Sequence, residues 1–294
     1  SYYGSACEGD MEFGQFVIMF KSIFMEGFSR PYDGVRKIIG LLEDKFRECG
    51  GELRLKTEVK SIDVKNGRAV SVTLASGEEL SAPKILSTIG LLETLRLASD
   101  YSEESCVVKP GMLSFTEAIF ILNRDAISES GYDKTIIFYN DSDKFDYKRP
   151  SVITDYSSGV LCCPNNFVYE KPLGEVMLRV TNMANSDIWH SLSKDEYKAQ
   201  KDDVLKNAGN IIKRFIPAFD DGCVKFYDIF TPKTVNRFTG HINGAVYGTP
   251  DKSKNGTTHI QNLFIAGTDQ GFLGIIGAIL SGISIANLHF LMKD

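Results

Sequence analysis

Motifs for metals, nucleophiles and nucleic acids are missing from this sequence. The six cysteines, Cys7, Cys49, Cys106, Cys162, Cys163 and Cys223, contain no CxxC pair and no His/Cys metal spacing. Free thiols in a reducing compartment are the simpler reading. Four scattered histidines signal neither a zinc site nor a nucleophile triad. The basic residues form no run and the net charge is −5, so no nucleic-acid face is expected. Ser1-Tyr2-Tyr3 begins no signal or transit peptide, which makes a cytoplasmic location the expectation. Residues 270–292 hold no Asp, Glu, Lys or Arg and are long enough to cross a bilayer. Several Gly and Ser residues, with Asn287 and His289, dilute that stretch. Peripheral membrane contact is left open, and spanning is not expected.

What is present is apolar and patterned. With 294 residues and 43% hydrophobic content, the chain can bury one or two cores. Near the C-terminus, Leu263, Phe264, Ile265 and Ala266 form a continuous apolar run, as in a central parallel strand. Gly267, Gly271, Gly274 and Gly277 follow, permitting tight turns and close approach to bare backbone. A helix is predicted from Ile275 onward, with Gly274, Ala278, Ser281 and Ser284 or Ile285 keeping one face small. Its N-terminus would favour an anionic or electron-rich group. A buried strand and helix without a ligand is the plainer alternative.

At the other end, Phe13, Phe16, Val17, Phe20 and Phe24 recur at helical spacing within 11–28, with Met19 and Ile23 widening the face. Two readings are open: a core helix, or the wall of a cavity for a long apolar ligand, which Met would help to shape. A helix is predicted over Val35–Cys49, with Ile38, Leu41, Leu42, Lys45 and Phe46 inward and Gly50-Gly51 closing it. Strands are predicted at Glu52–Leu55, Val59–Val64 and Arg68–Leu74, the last two joined by an Asn66-Gly67 hairpin, and again from Lys84 to Thr88. Further strands are predicted near Met112–Asn123, Lys134–Tyr139, Val160–Cys163 and Val176–Thr181. Ser186–Phe215 is read as helical, with Ser193 able to cap Lys194–Phe215. His241 reads as a loop histidine rather than a base, and no carboxylate pair identifies acid and base.

Several of these stretches carry a resemblance. Gly267-Thr268-Asp269, then Gly274-Ile275-Ile276-Gly277-Ala278 and Ser281-Gly282, resembles the C-terminal flavin motif of the phytoene desaturase, carotenoid isomerase and retinol saturase group. The seven-residue spacing from Gly267 to Gly274 is most similar to the retinol saturase branch. The run from Arg30 to Thr88 resembles the same group's glycine-pair loop, helix, "GGE", "T.V..I" strand and hairpin, although Asp33-Gly34 stands where a Gly-Gly is usual. Trp189, Tyr197 and Lys201 resemble its "W..L…Y...K" pattern. Thr231-Pro232 to Arg237, then Gly244 to Tyr247-Gly248, resembles its "TP.T..R" and "G..YG" elements.

The resemblance implies a mixed α/β and α+β fold with two parts: a partial Rossmann-like FAD-binding domain and a mixed-sheet substrate domain with helices. Residues 1–48 and 91–255 would form the substrate part, and 49–90 and 256–294 the cofactor part. It implies FAD contacts at Val59 (adenine end), Thr268 or Asp269 (ribityl or phosphate), and Gly267, Gly274, Ile275 and Ile276 (ring end). Phe16, Phe20, Phe24 and Tyr247 would face a polyene or isoprenoid. The same resemblance expects GxGxxG after an N-terminal strand, and none occurs in this sequence. The chain therefore looks like about the C-terminal two-thirds of such an enzyme, lacking the pyrophosphate cradle. A Rossmann half or an oligomer partner is expected to cover its unpaired strands. The rival readings are a non-catalytic module for apolar ligands or partners, and an amine-oxidase-type flavoenzyme.

Overall fold

The computed structural model describes residues 6, 13–27, 29–32, 34–144 and 147–291; Cys7, Phe28 and Asp33 lie outside them. Helix α1 (Phe13–Phe20) runs into a wider π-type turn, and α2 (Val35–Glu48) follows. Strands β1 (Val59–Lys65), β2 (Arg68–Leu74) and β3 (Glu79–Ser81) make an antiparallel sheet. Asn66 and Gly67 both take positive φ at its first hairpin, the geometry of the predicted tight turn. The predicted strand at Glu52–Leu55 does not form. A turn with Lys56 at φ 55° ends it, and Arg54 is held instead by the Glu78 carboxylate.

Strand β4 (Ile85–Ser87) leads to α3 (Leu91–Leu97). The largest unit comes next. It consists of β5 (Ser114–Leu122), α4 (Ala126–Glu129), β6 (Ile136–Asn140), β7 (Ser158–Cys162), β8 (Val176–Ala184), α5 (Ser186–Ser191), α6 (Lys194–Phe215) and β9 (Val224–Phe230). Its strands form a five-stranded antiparallel sheet in the order β6-β7-β8-β5-β9. Alternation decides its two faces. Ala118, Phe120, Leu161, Leu178, Val180 and Ile229 are buried against Val204, Ala208, Ile211 and Ile212 of α6. Each of the Val, Leu, Ile and Phe side chains among them contributes about 1.5–3 kcal/mol by leaving water.

Ser193 breaks the predicted Ser186–Phe215 stretch in two. Its hydroxyl accepts the Glu196 N–H while Glu196 accepts the Ser193 N–H, a reciprocal cap that starts α6. Thr231 does the same for α7 (Pro232–Thr239), with Thr234 as its counterpart and Pro232 in the first turn. The Thr-Pro element is thus a helix start. Tyr197 joins it to the rest, its hydroxyl 3.0 Å from Thr231 Oγ1 and its ring edge-on to the fully buried Trp189.

Strand β10 (Leu263–Ile265) pairs in parallel with β4, and α8 (Gly274–Ile285) ends in a second π-type turn, Ala286–Leu291. That turn lies on the strand pair, His289 stacked 4.4 Å from Phe264. The predicted strand is present, but among the described residues β4 is its one ladder partner, so it is not central.

The predicted burial of the α2 face fails, and the core-helix alternative for α1 fails with it. No residue of α2 is buried, and Leu41, Leu42 and Phe46 are all exposed. Along α1, Phe13, Phe16 and Phe20 are also exposed, as is Phe24 beyond them. The helical spacing was read correctly, yet the described elements leave both apolar stripes largely exposed, and of the four rings Phe24 meets the sheet, at Phe138. A stripe is a capacity for burial, and only a partner surface realises it.

Candidate functional site

The carboxyl ends of β4 and β10 open side by side, where ligands of open parallel sheets bind. Gly267, Gly271 and Gly274 leave β10 at φ 100°, 112° and 74°, a region L side chains rarely adopt, and open space lies above all three. Gly274 therefore has a backbone reason to be glycine, independent of any ligand. Leu273 precedes α8 without a side-chain cap, so the first N–H groups of the helix are left to water or a ligand. Ile275 and Ile276 flank this end and are 45% and 65% exposed. The face of α8 that packs is Gly277, Ser281 and Ile285; Ser281 and Ile285 belong to the predicted small face, and Gly277 packs where Gly274 and Ala278 were expected. Ser281 accepts the Gly267 N–H at 2.6 Å and donates to Gln270, fixing the loop from below.

Asp269, expected on the basis of resemblance to meet a cofactor, is only 2% exposed. Its carboxylate accepts N–H groups from Leu91 at 2.6 Å and Thr249 at 3.0 Å, and faces Lys252 Nζ at 3.3 Å. Both oxygens are thus engaged inside the protein. Gly248 has to be glycine here, since a Cβ would stand 1.9 Å from Asp269 Oδ1. Lys252 also donates to the Tyr247 carbonyl at 2.6 Å. One ammonium therefore ties the glycine loop to the backbone of Tyr247.

Tyr247 meets Phe115 edge-on at 5.9 Å, and both line a cavity of about 360 Å³ on the sheet face away from α6. Burial pushes the Tyr247 hydroxyl up to about 12, so it is neutral at physiological pH and can donate or accept a hydrogen bond. The cavity is apolar except for Glu117, Arg179 and Thr181. Arg179 donates to Glu117 Oε1 through Nε at 2.8 Å and through Nη2, and Thr181 is 3.4 Å from the same oxygen. Phe24 lies 6.2 Å from Phe138 at the cavity's rim and continues outward through Phe20, Phe16 and Phe13 as a ladder of rings. A larger groove of about 850 Å³ between α6 and β9 includes neither Tyr247 nor the glycine loop.

Behind the glycine loop, His241 lies in the loop after α7, as expected, with its side chain mostly buried. Its Nδ1 has no hydrogen-bond partner and lies 3.5 Å from Glu93 Oε1, which accepts the Ile242 N–H at 2.9 Å. Glu93 raises the His241 pKa above its ordinary 6.5, outweighing desolvation. Burial pushes Glu93 up, but the ring and the Ile242 N–H outweigh it and hold the carboxyl below its ordinary range. Sequence reading missed Glu93, Lys252 and the Glu117–Arg179 pair. The one signal for Glu93 was Gly90, whose positive φ opens α3 directly after β4.

Val59 stands at the first position of β1, half-exposed and away from these groups in sequence and sheet. The structure brings together Gly267, Thr268, Asp269, Gly274, Ile275 and Ile276, and through Lys252 it joins them to Tyr247.

A family model described as flavin containing amine oxidoreductase matches residues 2–288. This chain belongs to that family. It is similar to the chloroplastic prolycopene isomerase of Arabidopsis thaliana, 28% identical over 285 residues, covering 89% of this chain and 45% of that one. The chloroplastic prolycopene isomerase of Daucus carota is 25% identical over 281 residues, covering 89% and 44%. The chain thus spans a little under half the length of these curated relatives. Both names place those relatives in the chloroplast, where the sequence alone had suggested a cytoplasmic protein. Among solved structures, an oxidoreductase from Methanosarcina mazei superposes with TM-score 0.56 at 14% identity, covering 87% of this chain and 54% of that chain. A Pyrococcus furiosus protein gives TM-score 0.52 at 12% identity, covering 89% and 54%. These superpositions agree with the mixed α/β fold.

The residues at the glycine loop fit the ring end of a flavin: bare positive-φ backbone, uncapped helix N–H groups and two exposed isoleucines. The GxGxxG motif that cradles a pyrophosphate in dinucleotide-binding folds does not occur in this sequence. The stretch Gly274–Leu291 is long and apolar enough to cross a membrane by length and composition.

Proposed function

We propose that this chain is the flavin-ring and substrate part of an FAD-dependent oxidoreductase acting on carbon–carbon double bonds of a polyene or isoprenoid lipid. The observation that carries the reading is Lys252, whose ammonium reaches both Tyr247 O and Asp269 Oδ1. It sets an apolar cavity beside a loop suited to a flavin ring. Gly267, Gly274 and the first N–H groups of α8 would hold the ring edge, and the helix dipole favours negative charge there. FAD, when bound, supplies the electron transfer. The chain's own residues shape a dry apolar face, with the neutral Tyr247 hydroxyl available there as a hydrogen-bonding group. Prolycopene isomerases among the relatives support a polyene over an amine as substrate.

The pyrophosphate cradle would come from a GxGxxG-bearing half. The exposed apolar stripes on α2 and α8 support such a partner, or a second copy of the chain. The test joins the chain to a GxGxxG-bearing half in bacteria that accumulate poly-cis carotenoids, with chromatography of the pigments. Altered carotenoid isomers or saturation that depend on Tyr247 would support the reading. Flavin incorporation with unchanged carotenoids and oxidation of benzylamine would transfer the chain to the amine-oxidase reading.

A further inference from the structure

We infer that the apolar cavity beside Tyr247 takes a lipid carrying a carboxylate end group, with Arg30 and Arg179 as its receptor. The inference rests on the reading that this sheet face binds the substrate. Register places two cross-strand rows on that face: Phe138, Val160, Thr181 and Glu117 in one, and Ile136, Cys162, Arg179 and Ile119 in the next. Of these eight positions all but Glu117, Arg179 and Thr181 are apolar or a thiol, and Asp228 of β9 follows Ile119 at the edge of the second row. An ion pair in such a setting does little for stability, since desolvation offsets its attraction. A specific use is the better account of it.

The second guanidinium comes from another segment. Tyr32 packs edge-on to Tyr169 at 5.8 Å, and the Tyr169 hydroxyl donates to the Pro164 carbonyl, just past the end of β7. This anchors residues 29–32 beside Cys162. The Cys162 thiol, raised chiefly by burial, also feels the positive charges of Arg179 and Arg30. Arg30 Nε is sealed from solvent without a hydrogen-bond partner, and among the described residues Arg30 makes no ion pair. A buried donor left unmade costs about 1–3 kcal/mol, which a bound acceptor would recover. The guanidinium lies against Gly34, where α2 begins without a side-chain cap, so the positive helix end adds to the same field.

Charge therefore does not balance. Arg179 is bonded to one carboxylate, Glu117, and Arg30 to none among the described residues, while Asp228 on the Arg179 row is 3.8 Å from Lys201. The site is short of one negative group, and a carboxylate matches the guanidinium fork in shape. The aromatic ladder from Phe138 through Phe24 offers the apolar tail a path.

The test uses the full chain with cis-parinaric acid, a polyene carboxylate that fluoresces in apolar sites, and its methyl ester as the neutral control. The acid is expected to bind about tenfold or more tightly than the ester, the size of one charge-assisted contact. Arg30→Met, which breaks no recorded ion pair, should abolish that preference. Glu117→Gln should strengthen the acid several-fold by freeing Arg179, a gain that a purely structural pair would not give. Circular dichroism checks that each variant is folded. Equal binding of acid and ester, or an unchanged preference in Arg30→Met, overturns the carboxylate site while leaving the apolar cavity standing. Binding of neither probe overturns both this inference and the substrate reading beneath it.

Discussion

Helices α6 and α2 carry the same kind of apolar stripe and meet different fates. The inner residues of α6 are buried against the five-stranded sheet, while α2 has no buried residue at all. The β4–β10 pair shows the same one-sidedness, with a buried lining and a single ladder partner. The five-stranded sheet and α6 make a complete unit that covers its own apolar face, whereas α1, α2 and the β4–β10 pair are an open one with apolar side chains left exposed. Local pattern is set by sequence, whereas burial is set by what arrives to cover it.

The largest effect that sharpens the contrast is expected in the complete unit. Trp189→Ala, in the fully buried position under α6, should cost about 3–5 kcal/mol in chemical unfolding. A loss near zero would mean that the sheet–helix layer is not the core of stability. Asp269→Ala comes next, at roughly 3 kcal/mol, because it strands Lys252 and two N–H groups. Asp269→Asn should recover part of that loss, which separates the hydrogen bonds from the charge.

A smaller effect follows the Glu93–His241 pair and depends on pH. His241 is raised when folded, so its contribution is full below about its ordinary value and fades as pH rises through the higher folded value. Glu93 is lowered, so its contribution is present above its ordinary 4.5 and fades as pH falls through the lower folded value. The pair should therefore help most between about pH 4.5 and 6.5. The stability difference between wild type and His241→Asn, measured across pH, should peak there. A flat difference would remove the pair from the account.

The smallest effect belongs to the open unit. Phe20→Ala and Leu42→Ala should each cost about 1 kcal/mol or less, in keeping with their exposure. If either costs as much as Trp189→Ala, its stripe is covered in solution, by a second copy or a partner.

Much of this architecture was legible beforehand because its signals are local. The Asn66-Gly67 turn, the Ser193 cap and the apolar run at Leu263–Ile265 each depend on a few adjacent residues. Strand β9 and helices α3 and α7 were not anticipated. Val224–Phe230 mixes Lys, Asp and aromatics as an edge strand can, and Thr231-Pro232 was read as a motif rather than as a cap. The glycine loop was visible as a run of tight turns, and Gly267, Gly271 and Gly274 take the positive φ that such turns need. What could not be read was the polar wiring behind it. Asp269 meets Leu91 across 178 residues, and no spacing in the sequence reports such a pairing.

The most direct measurement is FAD binding, followed by quenching of flavin fluorescence, for the chain alone and for the chain co-expressed with a GxGxxG-bearing half. The account expects weak or no binding by the chain alone and stoichiometric binding by the pair. Tight stoichiometric binding by the chain alone would place a phosphate site where none has been identified, and would contradict it.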